Sequence, residues 1–451
     1  MNQKIKELII NVLNDLNYDN TDEELFKYLY EKGSKAIKLF EDGEYSIEQI
    51  RQLLTKNIPN MMIEYQRFKN VIDKQDKMRT KFGTSINYQI IDLFEILKMS
   101  SSSEDFEKQK LTYLNQQPKI FPGIKECTYN EISNIYKNIV ERCDCITPEA
   151  EAKMTLTIRE DLPLFNENGE INKNLFDFNY LDKIVNFASE NEMQVRLHTL
   201  VWHKHFPKIL ENCSREDCLK FLDTYFSIIA SRYGEEKFSS IDVINEICAD
   251  IKSEEFKKGQ ILRESPWKKV LGDKYYLDVL KLARKNFSNC NLVYNEYDET
   301  NPNKRKNMIS LINDIKLEES VLGVKLLDSV GLQSHYHEYT TDEEIKKTYI
   351  DLIQTGKKLQ VSELDITKIT KNDDMQVNRV ARTVLDCAST YDIDYITCWG
   401  PSSKISWKSN KVRTFLDDNG NIDQSINKIS NIYSMKNKIK EKSNRTSVTM
   451  W

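Results

Sequence analysis

No apolar run in this chain approaches the roughly 18 residues that a bilayer-spanning helix needs. The first residues, Met-Asn-Gln-Lys-Ile-Lys-Glu-Leu-Ile-Ile-Asn, lack the unbroken apolar core and small-residue cleavage site of a signal peptide. Both absences point away from membranes and towards the cytoplasm, although a secreted chain trimmed of its leader would read the same. Cysteine occurs nine times, an odd count, yet never as Cys-x-x-Cys. Cys143-x-Cys145 and Cys213…Cys218 lack zinc-ligand spacing, and the thiols read as reduced cytosolic side chains. An excess of positive charge is missing too. The 65 Lys and Arg against 70 Asp and Glu leave a formal net charge of -5, with no reason to expect nucleic acid as a partner.

What is present is the ordinary balance of a globular protein, 39% hydrophobic and 30% charged. The length allows two or three domains, or an α/β barrel that takes most of the chain alone. Residues 1–60 read as a helical module. Ile5, Leu8, Ile9, Val12, Leu13 and Leu16 recur at helical spacing. Thr21-Asp-Glu-Glu24 is a capping-box start for a helix carrying Leu25, Phe26, Leu29 and Tyr30. Ser46-Ile-Glu-Gln49 starts another with Ile47, Ile50, Leu53 and Leu54, and Pro59 stops it. The module reads either as a docking site for a protein partner or as a cap on the next domain.

Residues 61–80 read as a connecting helix. From 81 to 435, eight apolar strand candidates alternate with helical patterns: near 81–87, 143–147, 194–200, 240–245, 291–295, 329–334, 359–363 and 394–399. Eight such alternations imply a parallel sheet closed as a (β/α)8 barrel, with active residues at the C-terminal strand ends. The stretch 98–125, with Ser100–Ser103, Pro118, Pro122 and Gly123, reads as a polar surface insertion, and 436–451 as a frayed Lys-rich tail.

Chemistry concentrates at those strand ends. Ile241-Asp-Val-Ile-Asn-Glu246 and Leu359-Gln-Val-Ser-Glu-Leu-Asp365 each run from apolar residues into carboxylates. All five histidines fall in Val195-Arg-Leu-His-Thr-Leu-Val-Trp-His-Lys-His205 and Val330-Gly-Leu-Gln-Ser-His-Tyr-His337. Two glutamates in one pocket suit glycoside hydrolysis. Carboxyl groups about 5–5.5 Å apart give retention, and about 6.5–9.5 Å inversion. A network of Asp365 and a histidine such as His335 would keep Glu363 ionised as a nucleophile, leaving Glu246 as acid/base. Asn245 could hold a sugar 2-hydroxyl. Taken singly, either glutamate could equally be half of a structural ion pair. Trp399 or Trp407 alone reads as core, His203 as a satisfied histidine behind the site, and His337 as a loop residue. The pairs His203-x-His205 and His335-x-His337 could also share faces as a metal site, but the reading taken is no metal and no cofactor.

Arg196-Leu-His-Thr-Leu-Val-Trp-His203, Asp242-Val-Ile-Asn-Glu246, Gln333-Ser-His335, Ser362-Glu-Leu-Asp365 and Trp399-Gly-Pro-Ser-Ser-Lys-Ile-Ser-Trp407 together resemble glycoside hydrolase family 10, the endo-β-1,4-xylanases, over roughly residues 78–435. Thr147-Pro-Glu-Ala-Glu-Ala-Lys153 resembles the family's segment after its second strand. The resemblance implies a retaining β-1,4-glycosidase acting on xylan or xylo-oligosaccharides, with Glu246 as acid/base and Glu363 as nucleophile. It implies His335 bridging Glu363 and Asp365, and Gln333 near the acid/base. Glu149, Lys153, His198, Trp202 and Asn245 would hold glycone sugars, Tyr297 would bind substrate, and Trp399 and Trp407 would wall the cleft.

The resemblance is incomplete. Ala150 stands where Asn is usual, Met154 for Trp, Leu197 for Gly, His205 for Gln and Ser403 for Asp. Asn295-Glu-Tyr-Asp298 replaces Asn-Asp-Tyr-Asn. The drifted shell leaves two alternatives open: a carbohydrate-binding barrel with little turnover, or a glycosidase for a non-xylan intracellular or cell-envelope glycan.

Overall fold

The computed structural model describes residues 3–16, 25, 29–30, 34–58, 61, 80–369, 374–408 and 411–423. The chain divides into two compact units, Met1–Arg79 and Thr80–Trp451. In the first, helix α1 (Gln3–Asp15) buries Ile5, Leu8, Ile9, Val12 and Leu13, a spacing that puts them on one face. Helix α2 (Ser34–Glu41) contributes Ile37, and helix α3 (47–58) contributes Ile50, Leu54 and Ile58. Ser46 N–H donates to Gln49 Oε1 at 2.8 Å and Gln49 N–H to Ser46 Oγ at 3.3 Å, the reciprocal capping box. Ile47, in the first turn of α3, is 47% exposed and takes no part in the core. The capping box expected at Thr21–Glu24, the stop at Pro59, residues 62–79 of the expected connecting helix and the tail lie outside the described residues.

The second unit is the (β/α)8 barrel read from the sequence. Its strands are β1 (Lys81–Ile86), β2 (Cys145–Pro148), β3 (Gln194–Leu197), β4 (Phe238–Asn245), β5 (Leu292–Glu296), β6 (Ser329–Leu332), β7 (Lys358–Thr367) and β8 (Tyr395–Cys398). Each pairs in parallel with the next, and β8 returns to β1 in the register Lys81↔Tyr395 to Thr84↔Cys398, closing the ring. Strands covered on both faces read as continuous apolar runs. Accordingly β2, β4, β6 and β8 are buried along their whole length. Short parallel fragments extend the ring at its C-terminal end. Val201–Trp202 pairs with β4, and His335–His337 pairs with β7 in the register His335↔Asp365.

Helices around the ring start on side-chain caps. Asn87 accepts from Ile90 N–H at 3.2 Å, and Thr128 with Glu131 and Thr341 with Glu344 form capping boxes. The polar stretch 98–125 is more ordered than its composition suggests. It holds a twelve-residue helix, Ser103–Leu114, capped by Ser102 and seated by Phe106, Leu114 and the buried Lys110, whose Nζ donates to Cys127 O at 2.6 Å. All nine cysteines are free thiols. No helix among the described residues is long and apolar enough to cross a membrane.

Candidate active site

The C-terminal ends of β2 to β8 converge on one cleft because every strand of a parallel barrel points the same way. Strand β7 supplies Glu363 and Asp365, two residues apart and therefore on one face. His335 sits opposite Asp365 in register, with Nδ1 3.0 Å from Asp365 Oδ2 and Nε2 3.3 Å from Glu363 Oε2. Burial alone would lower the pKa of His335, but Asp365 and Glu363 raise it to about 10. Burial likewise opposes ionisation of Glu363. The charges of His198, His335 and Arg196 win and hold its carboxyl at about 2. The same Asp365 oxygen is also held by Trp407, whose indole Nε1–H donates to Oδ2 at 2.7 Å.

A second set of bonds ties Glu363 to β4 and β5. Asn295 Nδ2 donates to Glu363 Oε1 at 2.7 Å and to Asn245 Oδ1 at 2.9 Å, while Asn295 Oδ1 accepts from Ser362 Oγ at 2.6 Å. Gly331 makes room for this amide: a Cβ there would stand 2.4 Å from Asn295 Oδ1. Asn245 Nδ2 is buried with no hydrogen-bond partner among the described residues, so it is a donor free for a ligand hydroxyl.

Glu246 follows Asn245 with a φ of 54°, left-handed backbone that a non-glycine residue adopts only under constraint. Its Oε1 accepts from Gln333 Nε2 at 3.2 Å. Its Oε2 has no hydrogen bond and lies 3.8 Å from Lys204 Nζ. One carboxylate is thus pinned and ionised, and the other has an oxygen that accepts no hydrogen bond. Such a division of roles suits nucleophile and proton donor at a glycosidic bond.

Around this pair stand the remaining expected residues except Tyr297. His198 Nδ1 contacts Asp242 Oδ2 at 2.8 Å and Glu363 Oε1 at 3.8 Å. Asp242 is held in turn by Arg196 NH2 at 2.6 Å to each oxygen, both residues wholly buried. Glu149 accepts from Asn87 Nδ2 at 3.2 Å, and burial raises its carboxyl. Burial lowers the Lys153 ammonium, while Glu149, Glu363, Glu151 and Glu246 pull it back up. Lys153 and Lys204 lie 4.9 and 5.0 Å from the centre of the Trp202 ring, and His205 stacks on it at 5.1 Å. Burial, with Lys153 and His198 nearby, brings His205 down to about 4, so it is neutral at neutral pH. Trp399 meets His198 edge-on at 5.2 Å. Trp407, 47% exposed, flanks His335 at 5.2 Å.

Glu246, Glu363, His335, Asp365, Asn245 and Gln333 therefore form one connected cluster, with the tryptophans, His198 and Lys153 about it. Tyr297 is turned elsewhere. Its hydroxyl donates to Asp250 and accepts from Arg263 NH2, and it lines a cavity of about 560 Å³ with Asp250, Asp298 and Asn301. His203 is held near 3 by burial, and His337 is exposed at the end of its short strand. Sequence reasoning assigned no role to Asn295, Arg196, Asp242 or Arg263. For Arg196 and Asp242 a signal existed: charges inside apolar strand runs must be paired.

The sequence model of glycosyl hydrolase family 10 matches residues 118–443. Endo-1,4-beta-xylanase A of Caldicellulosiruptor saccharolyticus is 25% identical over 331 residues, 68% of this chain and 90% of that protein. Endo-1,4-beta-xylanase 3 of Hypocrea jecorina is 28% identical over 291 residues, 64% of this chain and 74% of that protein. Among solved structures, xylanase 10B from Thermotoga petrophila in complex with xylobiose superimposes with a TM-score of 0.60 at 18% identity, over 80% of this chain and 96% of that one. The intracellular xylanase TsXylA from Thermoanaerobacterium saccharolyticum gives 0.58 at 21%, over 77% and 95%. At these identities the structures speak for the fold.

Proposed function

The chain belongs to glycosyl hydrolase family 10 and is a xylanase-like glycoside hydrolase, and from that premise we propose how its cleft works. Glu363 attacks the anomeric carbon while Glu246 protonates the departing oxygen. Water then hydrolyses the glycosyl-enzyme with Glu246 as base, so the product keeps its configuration. The observation that carries this reading is the contrast between the two glutamates: Glu363 bonded to Asn295 and flanked by His335 and His198, and Glu246 with an Oε2 that accepts no hydrogen bond. Asn245 Nδ2 donates to the sugar 2-hydroxyl, a bond that strengthens in the transition state. Trp202, Trp399 and Trp407 offer flat apolar faces to sugar rings, and Lys153, His198 and Glu149 offer polar groups on the glycone side. The substrate is a β-1,4-linked xylo-oligosaccharide or xylan.

His205 stacked on Trp202, and Ala150 where the family carries an amide, favour a second reading in which the glycone site takes a different β-1,4-glycan. The nine free thiols fit a reducing compartment. Work on imported oligosaccharides in the cytoplasm follows, and finding the native protein in culture medium would overturn it. Residues 1–60, with a core of their own, serve as a docking module. Unchanged activity and location after their removal would refute that role.

The deciding experiment is product analysis on short β-1,4-linked xylo-, gluco- and manno-oligosaccharides, with Glu363→Ala as control and anomeric configuration followed by NMR. Xylo-oligosaccharide cleavage with retention, lost in the variant, is expected. Inverted sugar as the first product would refute the nucleophile assignment, and cleavage of another series alone would move the substrate to the second reading.

A further inference from the structure

We infer that Arg263 is a positioning residue for the acid/base. It holds the main chain of Glu246 in the left-handed conformation from which the carboxyl meets Gln333 and the cleft. The inference rests on Glu246 acting as acid/base.

Left-handed backbone at a non-glycine residue persists only where its surroundings hold it. At Glu246, φ 54°, two bonds do so. The N–H donates to Asn295 O at 2.9 Å, and the carbonyl accepts from Arg263 Nε at 3.1 Å. The first is part of the ladder to β5. The second comes from a side chain seventeen residues later, itself tightly fixed. Arg263 NH1 and NH2 reach the two oxygens of Asp250 at 2.7 and 2.8 Å, a two-pronged pairing, and NH2 also meets Tyr297 OH at 2.9 Å. Only 11% of the Arg263 side chain is exposed. Asp250, despite the burial that opposes ionisation, lies well below the usual carboxylate range because of Arg263, Tyr297 and Lys304.

The segment after Glu246 is gripped along its length. Arg263 N–H donates to Ile247 O and Ala249 N–H to Ile261 O, each at 2.9 Å. Cys248 N–H donates to Glu296 at 3.0 Å, and Cys248 O accepts from Lys304 at 3.2 Å. Arg263 connects this grip to the carbonyl of the peptide that carries the acid/base, as Asn295 does to its N–H. Only a guanidinium can offer Nε–H to a carbonyl while its other two nitrogens face a carboxylate; a lysine ammonium is a single point. Tyr297, whose hydroxyl closes the ring of bonds, belongs to this frame.

A structural ion pair would affect all substrates alike. A positioning residue for a proton donor acts selectively, because a 2,4-dinitrophenolate departs without protonation and a phenolate does not. The test compares Arg263→Lys and Arg263→Met with Glu246→Ala on phenyl and 2,4-dinitrophenyl β-xylobioside, with melting temperatures as the folding control. The expected result for Arg263→Lys is a loss in kcat/KM of about tenfold or more on the phenyl glycoside, a fraction of the usual contribution of acid–base catalysis, with little change on the dinitrophenyl one. Added azide should speed turnover of the latter, because the base for the second step is also misplaced. Equal losses on both substrates, or none, overturn the inference. If Arg263→Met does not fold, Arg263→Lys and Asp250→Asn carry the same comparison. If Glu246→Ala itself shows no dependence on the leaving group, the acid/base assignment has failed and takes this inference with it. If Glu246→Ala shows the dependence and the Arg263 variants do not, only the inference has failed.

Discussion

Replacing His335 with leucine should destabilise the barrel by an amount that depends on pH in a particular way. His335 lies between two buried carboxylates, 3.3 Å from Glu363 and 3.0 Å from Asp365. The drop of the Glu363 carboxyl from 4.5 to about 2 corresponds to about 3 kcal/mol, at about 1.4 kcal/mol per pH unit. The rise of His335 from 6.5 to about 10 corresponds to about 5 kcal/mol on the same scale. The second figure is larger because it includes Asp365. The first figure includes the charges of His198 and Arg196, which the substitution leaves in place; the two share the His335–Glu363 contact and do not add, and removing one member of a buried pair typically costs about 3–5 kcal/mol. A carboxylate whose pKa is lowered on folding contributes stability that is present above 4.5 and is lost as pH falls towards 2. A histidine whose pKa is raised contributes stability that is complete below 6.5 and is lost as pH climbs towards 10. The gap between wild type and His335→Leu should therefore be widest between pH 4.5 and 6.5 and shrink on both sides. On the acid side it shrinks further because unpaired buried carboxyls in the variant take up protons. Urea unfolding at pH 4, 6 and 9, followed by tryptophan fluorescence, measures it. All five tryptophans lie in the second unit, so the signal reports on that unit. A gap that stays flat with pH, or falls below about 1 kcal/mol at pH 6, the scale of an ordinary hydrogen bond, would refute the charge-clamp reasoning.

Other substitutions probe neighbouring parts of the cluster. Gly331→Ala pushes a methyl against Asn295 Oδ1; it should cost about 1–3 kcal/mol in stability and lower kcat by loosening the amide from Glu363, and full activity would contradict the role given to Asn295. Trp407→Phe keeps an aromatic wall but removes the N–H from Asp365. A loss of about 1.5–3 kcal/mol in denaturant unfolding is expected, as for a hydrogen bond to a charged group, with sugar affinity nearly preserved. Asp242→Asn strands the buried Arg196 and should cost about 3–5 kcal/mol, measured by urea unfolding at pH 7; near-neutral stability would mean that the Glu363 carboxylate already balances Arg196.

The barrel was readable because its strands are buried on both faces, which leaves apolar runs punctuated by the carboxylates and histidines at their ends. Glu246 and Glu363 stood out for that reason. Three things did not. The helix Ser103–Leu114 is seated by only Phe106, Leu114 and a buried lysine, so its apolar stripe is too narrow to register against a polar composition. Asn295 acts through an amide shared by Asn245 and Glu363, a meeting of three strands that no local pattern encodes. Tyr297 lies in a recognisable motif, yet its hydroxyl turns to Asp250 and Arg263. Where a phenol points depends on partners far away in the chain.

The indole of Trp407 touches Asp365 through its N–H while nearly half of its surface faces solvent. Trp202 and Trp399 stand in the same cleft, and Trp267 is wholly buried, its N–H bonded to Trp202 O at 3.0 Å. Three of the four tryptophans among the described residues thus stand in the cleft. A sugar laid on Trp407 changes both the polarity over the ring and the field of the carboxylate at its edge. A change in intrinsic fluorescence on titration with xylo-oligosaccharides is the expected sign that a sugar has reached Trp407, with no label to attach.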